Sequence, residues 1–244
     1  MIKRTVSVLT IALLLLAGVA SAQVDDRARQ LLEGLNPDGM TLDLTSLDQT
    51  MTMTIYQDGG DLVTKTRIVV DYVGERAAMV SEVMGMATTM VYKDGSTVLK
   101  MNGMAIPVPA GMDSAFDGVF DQTATANLLD DPDAVATYDG QVSYGDVLSG
   151  QQVTYTGNFG IPGSGLDATT VRFVFDDSGG LLGQVVEADG MVIAYVFVGE
   201  PKVDGAMYYD AEMYELVGGT ATPFASMRYD AISVNQPIDE SLFE

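Results

Sequence analysis

Thr50-Met51-Thr52-Met53-Thr54-Ile55-Tyr56-Gln57-Asp58-Gly59-Gly60 decides the fold class. Its period is two: Met51, Met53 and Ile55 point to one side and Thr50, Thr52 and Thr54 to the other, as in a half-buried antiparallel strand. Gln57-Asp58-Gly59-Gly60 then supplies a turn, because glycine adopts the positive φ that tight hairpins need.

The pattern repeats outward from there. Leu62, Ile68, Val70 and Tyr72 share a face with Thr64 and Thr66, while Lys65, Arg67 and Asp71 take the other. Ala77 to Met84, Met86 to Tyr92 and Thr97 to Met101 follow as short strands, with turns at Tyr72-Val73-Gly74-Glu75, Lys93-Asp94-Gly95-Ser96 and Met101-Asn102-Gly103-Met104. Pro107 and Pro109 put the next segment at a sheet edge, since proline cannot donate to a ladder. Most of the chain's 15 methionines fall in this meander. Unbranched thioethers adapt to irregular apolar partners, which makes the methionine-rich face a candidate binding surface as well as ordinary core. The candidate lining is Met51, Met53, Ile55, Met79, Met84, Met86, Met90, Met101 and Met104, joined by Phe116 and Phe120.

The first residues read as a secretory signal peptide spanning 1–22: Lys3 and Arg4, an apolar run from Val6 to Val19, then Ala20-Ser21-Ala22 before Gln23. The run is shorter than the ~20 residues a membrane span needs, and no later segment is long and apolar enough to cross. Residues 23–244 are expected to form a single domain. Loss of Lys3 and Arg4 would take the formal charge from −22 to −24, a balance that repels nucleic acid and anionic membranes. The chain has no cysteine, so its stability is expected to come from packing alone.

Val24, Ala28, Leu31, Leu32 and Leu35 fall at helical spacing, with Asp25 and Asp26 at the start and Asn36-Pro37-Asp38-Gly39 as a stop. From Asp113 to Val135 the spacing of Phe116, Val119, Phe120, Ala124 and Leu128 predicts one or two further short helices, a lid or a connector. A second run of strands starts at Val142 and continues through Gln152–Phe159, Val171–Phe175, Leu181–Glu187, Met191–Val198, Ala206–Val217 and Phe224–Val234, ended by Asn235-Gln236-Pro237. Met191–Val198 is apolar on both faces and is expected to be covered on both, by a helix on one side.

Several chemistries are excluded or left without a signal. With no histidine and no cysteine, the chain has no Ser-His-Asp triad, thiolate nucleophile, or imidazole or thiolate metal ligand. Asp130-Asp131-Pro132-Asp133 lacks the spacing of a calcium loop and reads as a solvated helix cap. The Gly160 to Gly165 loop lacks the Gly-Lys-Ser/Thr of a phosphate cradle. A carboxylate pair could still hydrolyse a glycoside, but the sequence does not locate one among its 34 acids, and the reading is a non-enzyme with no cofactor, no metal and no catalytic residues.

The order of these features resembles the LolA-like lipoprotein carriers and sorting proteins of the bacterial envelope. The resemblance lies in the leader, Ala28-Arg29-Gln30-Leu31-Leu32, Gln49 to Tyr56, Thr88 to Gly95 with Leu99 to Gly103, and the closing Ile232 to Phe243 with its Asn and Phe. It implies a mainly β (α+β) fold, a curved antiparallel sheet forming an incomplete β-barrel with a few short helices over the concave face. It also implies a periplasmic carrier that binds acyl chains of lipoproteins or lipids for transfer towards the outer membrane, with envelope membrane proteins as further partners. The chain departs from such carriers in lacking Trp and an Arg-Pro motif after the second strand, and Arg76, near that place, is given no role. The cargo stays open, and the alternative is an envelope sensor or assembly factor that binds a protein through the same fold.

Overall fold

A computed structural model describes residues 24–35, 44–83, 85–109, 134–157, 169–188, 190–203 and 208–243, with Phe116, Phe120, Leu128 and Leu129. The leader, the helix stop at Asn36, Met84, most of the 113–135 insertion with Asp130 to Asp133, and the Gly160 to Gly165 loop lie outside the described residues.

The described chain is mostly β. It contains helix α1 (Asp26–Glu33) and strands β1 (Ser46–Ile55), β2 (Leu62–Asp71), β3 (Arg76–Val83), β4 (Met86–Lys93), β5 (Ser96–Met101), β6 (Met104–Ile106), β7 (Val135–Tyr144), β8 (Leu148–Gly157), β9 (Thr169–Phe175), β10 (Leu181–Ala188), β11 (Met191–Val198), β12 (Asp210–Val217) and β13 (Thr220–Val234). All belong to one antiparallel sheet in the order β6-β5-β4-β3-β2-β1-β13-β12-β11-β10-β9-β8-β7. The sheet is not closed, β6 and β7 being its two edges. Consecutive hairpins build each half, and the long-range β1–β13 pairing joins the halves at the centre.

The turns follow the sequence with one correction. Asp94-Gly95 and Asn102-Gly103 hold both central residues at positive φ, the twist that suits a two-residue hairpin. Between β2 and β3 the positive φ belongs to Glu75 rather than to Gly74. Gly74 instead donates its N–H to the Asp71 carboxylate at 2.9 Å, which leaves no room for a side chain there.

α1 forms because Asp25 caps it, accepting the Ala28 N–H at 2.6 Å. The same carboxylate accepts the Tyr138 N–H, and Asp25 N–H donates to the Ala136 carbonyl, which fixes the helix against β7. Ala28, Leu31 and Leu32 bury against Ala136, Val153, Tyr155, Val171 and Phe173. This cluster covers one sheet face at the β7–β10 end.

On the opposite face of the same strands, Leu148, Val174, Val185 and Ala194 form a second core with Val142, Tyr144, Tyr214 and Leu216. β7 and β12 stand five places apart in the sheet, roughly 24 Å if it were flat. Their contact therefore requires the sheet to curl, and a Cβ placed on Gly145 of the β7–β8 turn would sit 3.2 Å from Ala221 of β13. This curl supplies one of the two covers expected for Met191–Val198. Val192, Ala194 and Val196 are covered by the β7–β8 hairpin, and Met191 and Val198, at the strand ends, are exposed.

Two further differences concern extents. β7 begins at Val135, where a helix was expected to end, and β13 begins at Thr220. In β7 the alternation is broken by a bulge between Tyr138 and Gly140, which hides the strand from a period-two reading.

The chain ends on the face away from the methionines. Asn235, at φ 57°, accepts the Thr45 N–H at 2.7 Å and turns the chain after β13. Ile238, Leu242 and Phe243 then pack on Val69, Ala78 and Val91. Arg76 holds this segment: it bonds Asp71 at 2.7 Å and both oxygens of Glu240, and lies 4.6 Å from the centre of the Phe243 ring.

Two stability predictions follow from these contacts. Phe243→Ala removes a buried ring and the platform for Arg76, and should cost about 3 kcal/mol in urea unfolding. Gly183→Ala should cost about 1–3 kcal/mol, because its methyl would meet the Tyr195 carbonyl oxygen and crowd Leu148 across the curl.

Candidate functional site

In an antiparallel sheet, directly opposite residues share a face, so the register decides which candidates come together. Met51 and Met53 oppose Tyr229 and Met227 on β13 and Thr66 and Thr64 on β2. Ile68, beside them on β2, opposes Met79, which opposes Met90, which opposes Leu99. Met101 opposes Met104, and Met86 lies on the same face two residues before Thr88. The register thus brings Met51, Met53, Ile55, Met79, Met86, Met90, Met101 and Met104 to one face, and Met84 lies outside the described residues.

Their exposure is not uniform. Met90 and Phe116 are buried with Leu47, Val70, Ala77 and Leu99, and Phe120 packs on the same cluster. Phe116 and Phe120 both reach Tyr92, with ring centres 5.9 and 5.4 Å away. Met51, Met53, Ile55 and Met79 are half-buried. Met86, Met101 and Met104 are exposed near the β6 edge, Met104 at 71%.

The same face continues across β13, β12 and β11, where sequence reading placed no site residue. Met227 opposes Ala211, Ala225 opposes Met213, and Met213 opposes Tyr195. Further on, Tyr195 opposes Gln184, and Gln184 opposes Phe173, under α1. The face is therefore covered by α1 at one end and by Phe116 and Phe120 at the other. Between them Met51, Met53, Tyr195, Met213, Met227 and Tyr229 leave a span that is mostly half-buried.

Aromatic rings border this span. Phe197 and Tyr209 stack with centres 4.7 Å apart, and Tyr208 meets Tyr229 edge-on at 5.7 Å. Burial, with the neighbouring Tyr208 hydroxyl, pushes the Tyr72 phenol up to about 12. Burial also pushes Tyr229 to about 12, reinforced by Tyr208 and Asp210. Tyr195 and Tyr208 are raised by burial as well. These hydroxyls stay neutral across the physiological range, so each keeps both a donor and an acceptor function.

The ion pairs lie elsewhere, and one acid, Glu215, stands on the methionine face two residues from Met213 and opposite Ile193. Arg67 binds Asp48 through two bonds, at 3.0 and 2.7 Å, and Arg76 binds Asp71 and Glu240, all on the opposite face or the C-terminal segment. Burial disfavours the Asp71 carboxylate, but the Gly74 N–H and the Arg76 guanidinium outweigh it and hold its pKa below the usual range. Arg76 is thus a structural clasp, turned away from the methionine face. Among the described residues, no three acids converge in a way that could hold a metal ion.

No family model matches the sequence, and no curated protein does. Solved structures do resemble it. A LolA superfamily protein from Nitrosomonas europaea aligns over 89% of this chain and 97% of its own, at 13% identity and TM-score 0.51. The chain has a LolA-like fold. A DUF1329 family protein from Desulfovibrio piger aligns over 91% of this chain and 98% of its own, at 12% identity and the same TM-score of 0.51. At such identities the likeness is one of architecture: in this LolA-like sheet, side chains rather than ancestry must carry any functional argument.

The raised phenol values give an alkaline signature. Groups whose protonated form is favoured by folding contribute stability that is complete below the unfolded value near 10 and is lost as pH rises to about 12. Unfolding free energy should therefore fall between pH 10 and 12. In the double variant Tyr72→Phe, Tyr229→Phe that slope should flatten, as measured by urea titration at stepped pH.

Proposed function

We propose that this chain is an exported, non-enzymatic carrier that shelters the acyl chain of a lipoprotein or lipid on its methionine face, for transfer through the periplasm towards the outer membrane. The observation that carries the reading is the strand pairing that places Met51, Met53 and Met79 on one face with Met213, Met227 and the tyrosines between two covered ends. Unbranched thioethers of this kind adapt to apolar partners of irregular shape. Burial of a hydrocarbon chain contributes about 0.8 kcal/mol per CH₂, so binding needs no charged anchor. Export rests on Lys3, Arg4 and the apolar run that follows them, and the segment from Asp113 to Val135, expected from its spacing to be helical, is proposed as the cover over the face. The LolA-like architecture supports this reading through its shape alone.

A protein partner is favoured by one feature. Met86, Met101 and Met104 are exposed together beside β6, a three-residue edge strand that pairs only with β5 among the described residues. An exposed apolar edge of this kind suits docking of another chain, the mode of an envelope sensor or assembly factor.

Native mass spectrometry of protein purified from its own envelope should show bound lipid or lipoprotein acyl chains, and a fluorescent fatty-acid probe should bind the stripped protein. Met53→Asp, which places a charge on the half-buried span, should weaken probe binding at least tenfold. Met104→Asp, at the exposed edge, should leave it nearly unchanged. Protein that carries no lipid and ignores the probe, while retaining a stoichiometric protein partner, would transfer support to the second reading.

A further inference from the structure

Gln49 sits on β1 in the methionine face and is only 8% exposed. Its cross-strand neighbours on that face are Ile68 of β2 and Ile232 of β13, and its neighbours along β1 are Leu47 and Met51. Among the described residues, its Oε1 is the buried side-chain oxygen or nitrogen that has no hydrogen-bond partner. The other two buried glutamines differ sharply. Gln151 accepts from Arg27 at 2.6 Å and donates to the Asp176 carbonyl at 3.0 Å. Gln152 accepts from the Tyr144 hydroxyl and donates to Asp139 at 2.6 Å. A buried carbonyl without a donor destabilises the folded state, where a methionine of similar size would not. Gln49 is thus a polar group held in apolar surroundings, two residues along β1 from Met51 and its partner Tyr229.

We propose that Gln49 is a ligand-binding residue, whose side-chain amide engages a neutral hydrogen-bonding group at the head of an acyl chain lying along the methionine face. The missing partner of Oε1 is a donor, so the ligand must carry an N–H or O–H. A secondary amide, the linkage of an N-acylated amine, fits best: its N–H donates to Oε1 while its carbonyl accepts from Nε2. An ester offers acceptors alone, and a free carboxylate brings charge into an apolar site of an acidic protein. The inference rests on the carrier reading and adds to it the chemistry of the ligand's head.

The test is displacement of a fluorescent apolar probe by two ligands of equal chain length, N-methylhexadecanamide and methyl hexadecanoate. The native protein should bind the amide about tenfold more tightly than the ester, the effect of one added hydrogen bond. Gln49→Met should bind both alike, hold the ester as tightly as the native protein does, and melt at the same temperature or higher. Equal binding of the two ligands by the native protein would overturn the role of Gln49 and leave the carrier reading standing. So would a preference for the amide that survives in Gln49→Met, or a lower melting temperature of that variant, which would make Gln49 a structural residue. If neither ligand displaces the probe, the carrier reading falls and this inference with it.

Discussion

Pairing between the first and last strands is the constraint on which the rest of the molecule depends. β1 and β13 come from opposite ends of the described chain, yet they lie side by side at the centre of the sheet. Their register sets Met51 opposite Tyr229 and Met53 opposite Met227, and from there each hairpin passes the same face to the next. A slip of one residue at this seam would turn half of the apolar surface to the other side. The bulge opposite Thr50 and Met51 matters for the same reason, because it lets Leu47 and Gln49 stay in phase with Ile232 and Val234.

Much of the fold could be read from the chain because alternation is a direct projection of the pleat. Thr50 to Ile55 and Leu62 to Tyr72 fall as their period requires, and the shared face of Thr64 and Thr66 with Ile68 is as expected. β7 was less legible, since a bulge after Tyr138 shifts its phase in mid-strand. The cover over Val192 and Val196 was not legible at all. It depends on a hairpin three and four strands away, and curl is a property of the whole sheet rather than of any window of sequence.

The candidate site was legible in its first half alone. Methionines gathered on adjacent strands announce themselves by number, whereas Met213 and Met227 stand singly among Glu, Ser and Arg residues and join the surface through strand pairing. Gln49 carried no signal of its own, since a glutamine in a strand normally faces water. It becomes conspicuous once Ile68 and Ile232 are known to flank it. The charged groups show the complementary arrangement. Arg67 and Arg76 are spent on Asp48, Asp71, Asp239 and Glu240, all away from the apolar face.

The central seam also governs how the molecule must come into being. Because β1 waits for β13, which follows all the other described strands, the sheet assembles as two separate meanders until that pairing forms. Contacts so distant in sequence form slowly. A polypeptide with this wiring stays loose for longer than one built from neighbouring pairs alone, and its two halves can each be compact before the seam between them closes.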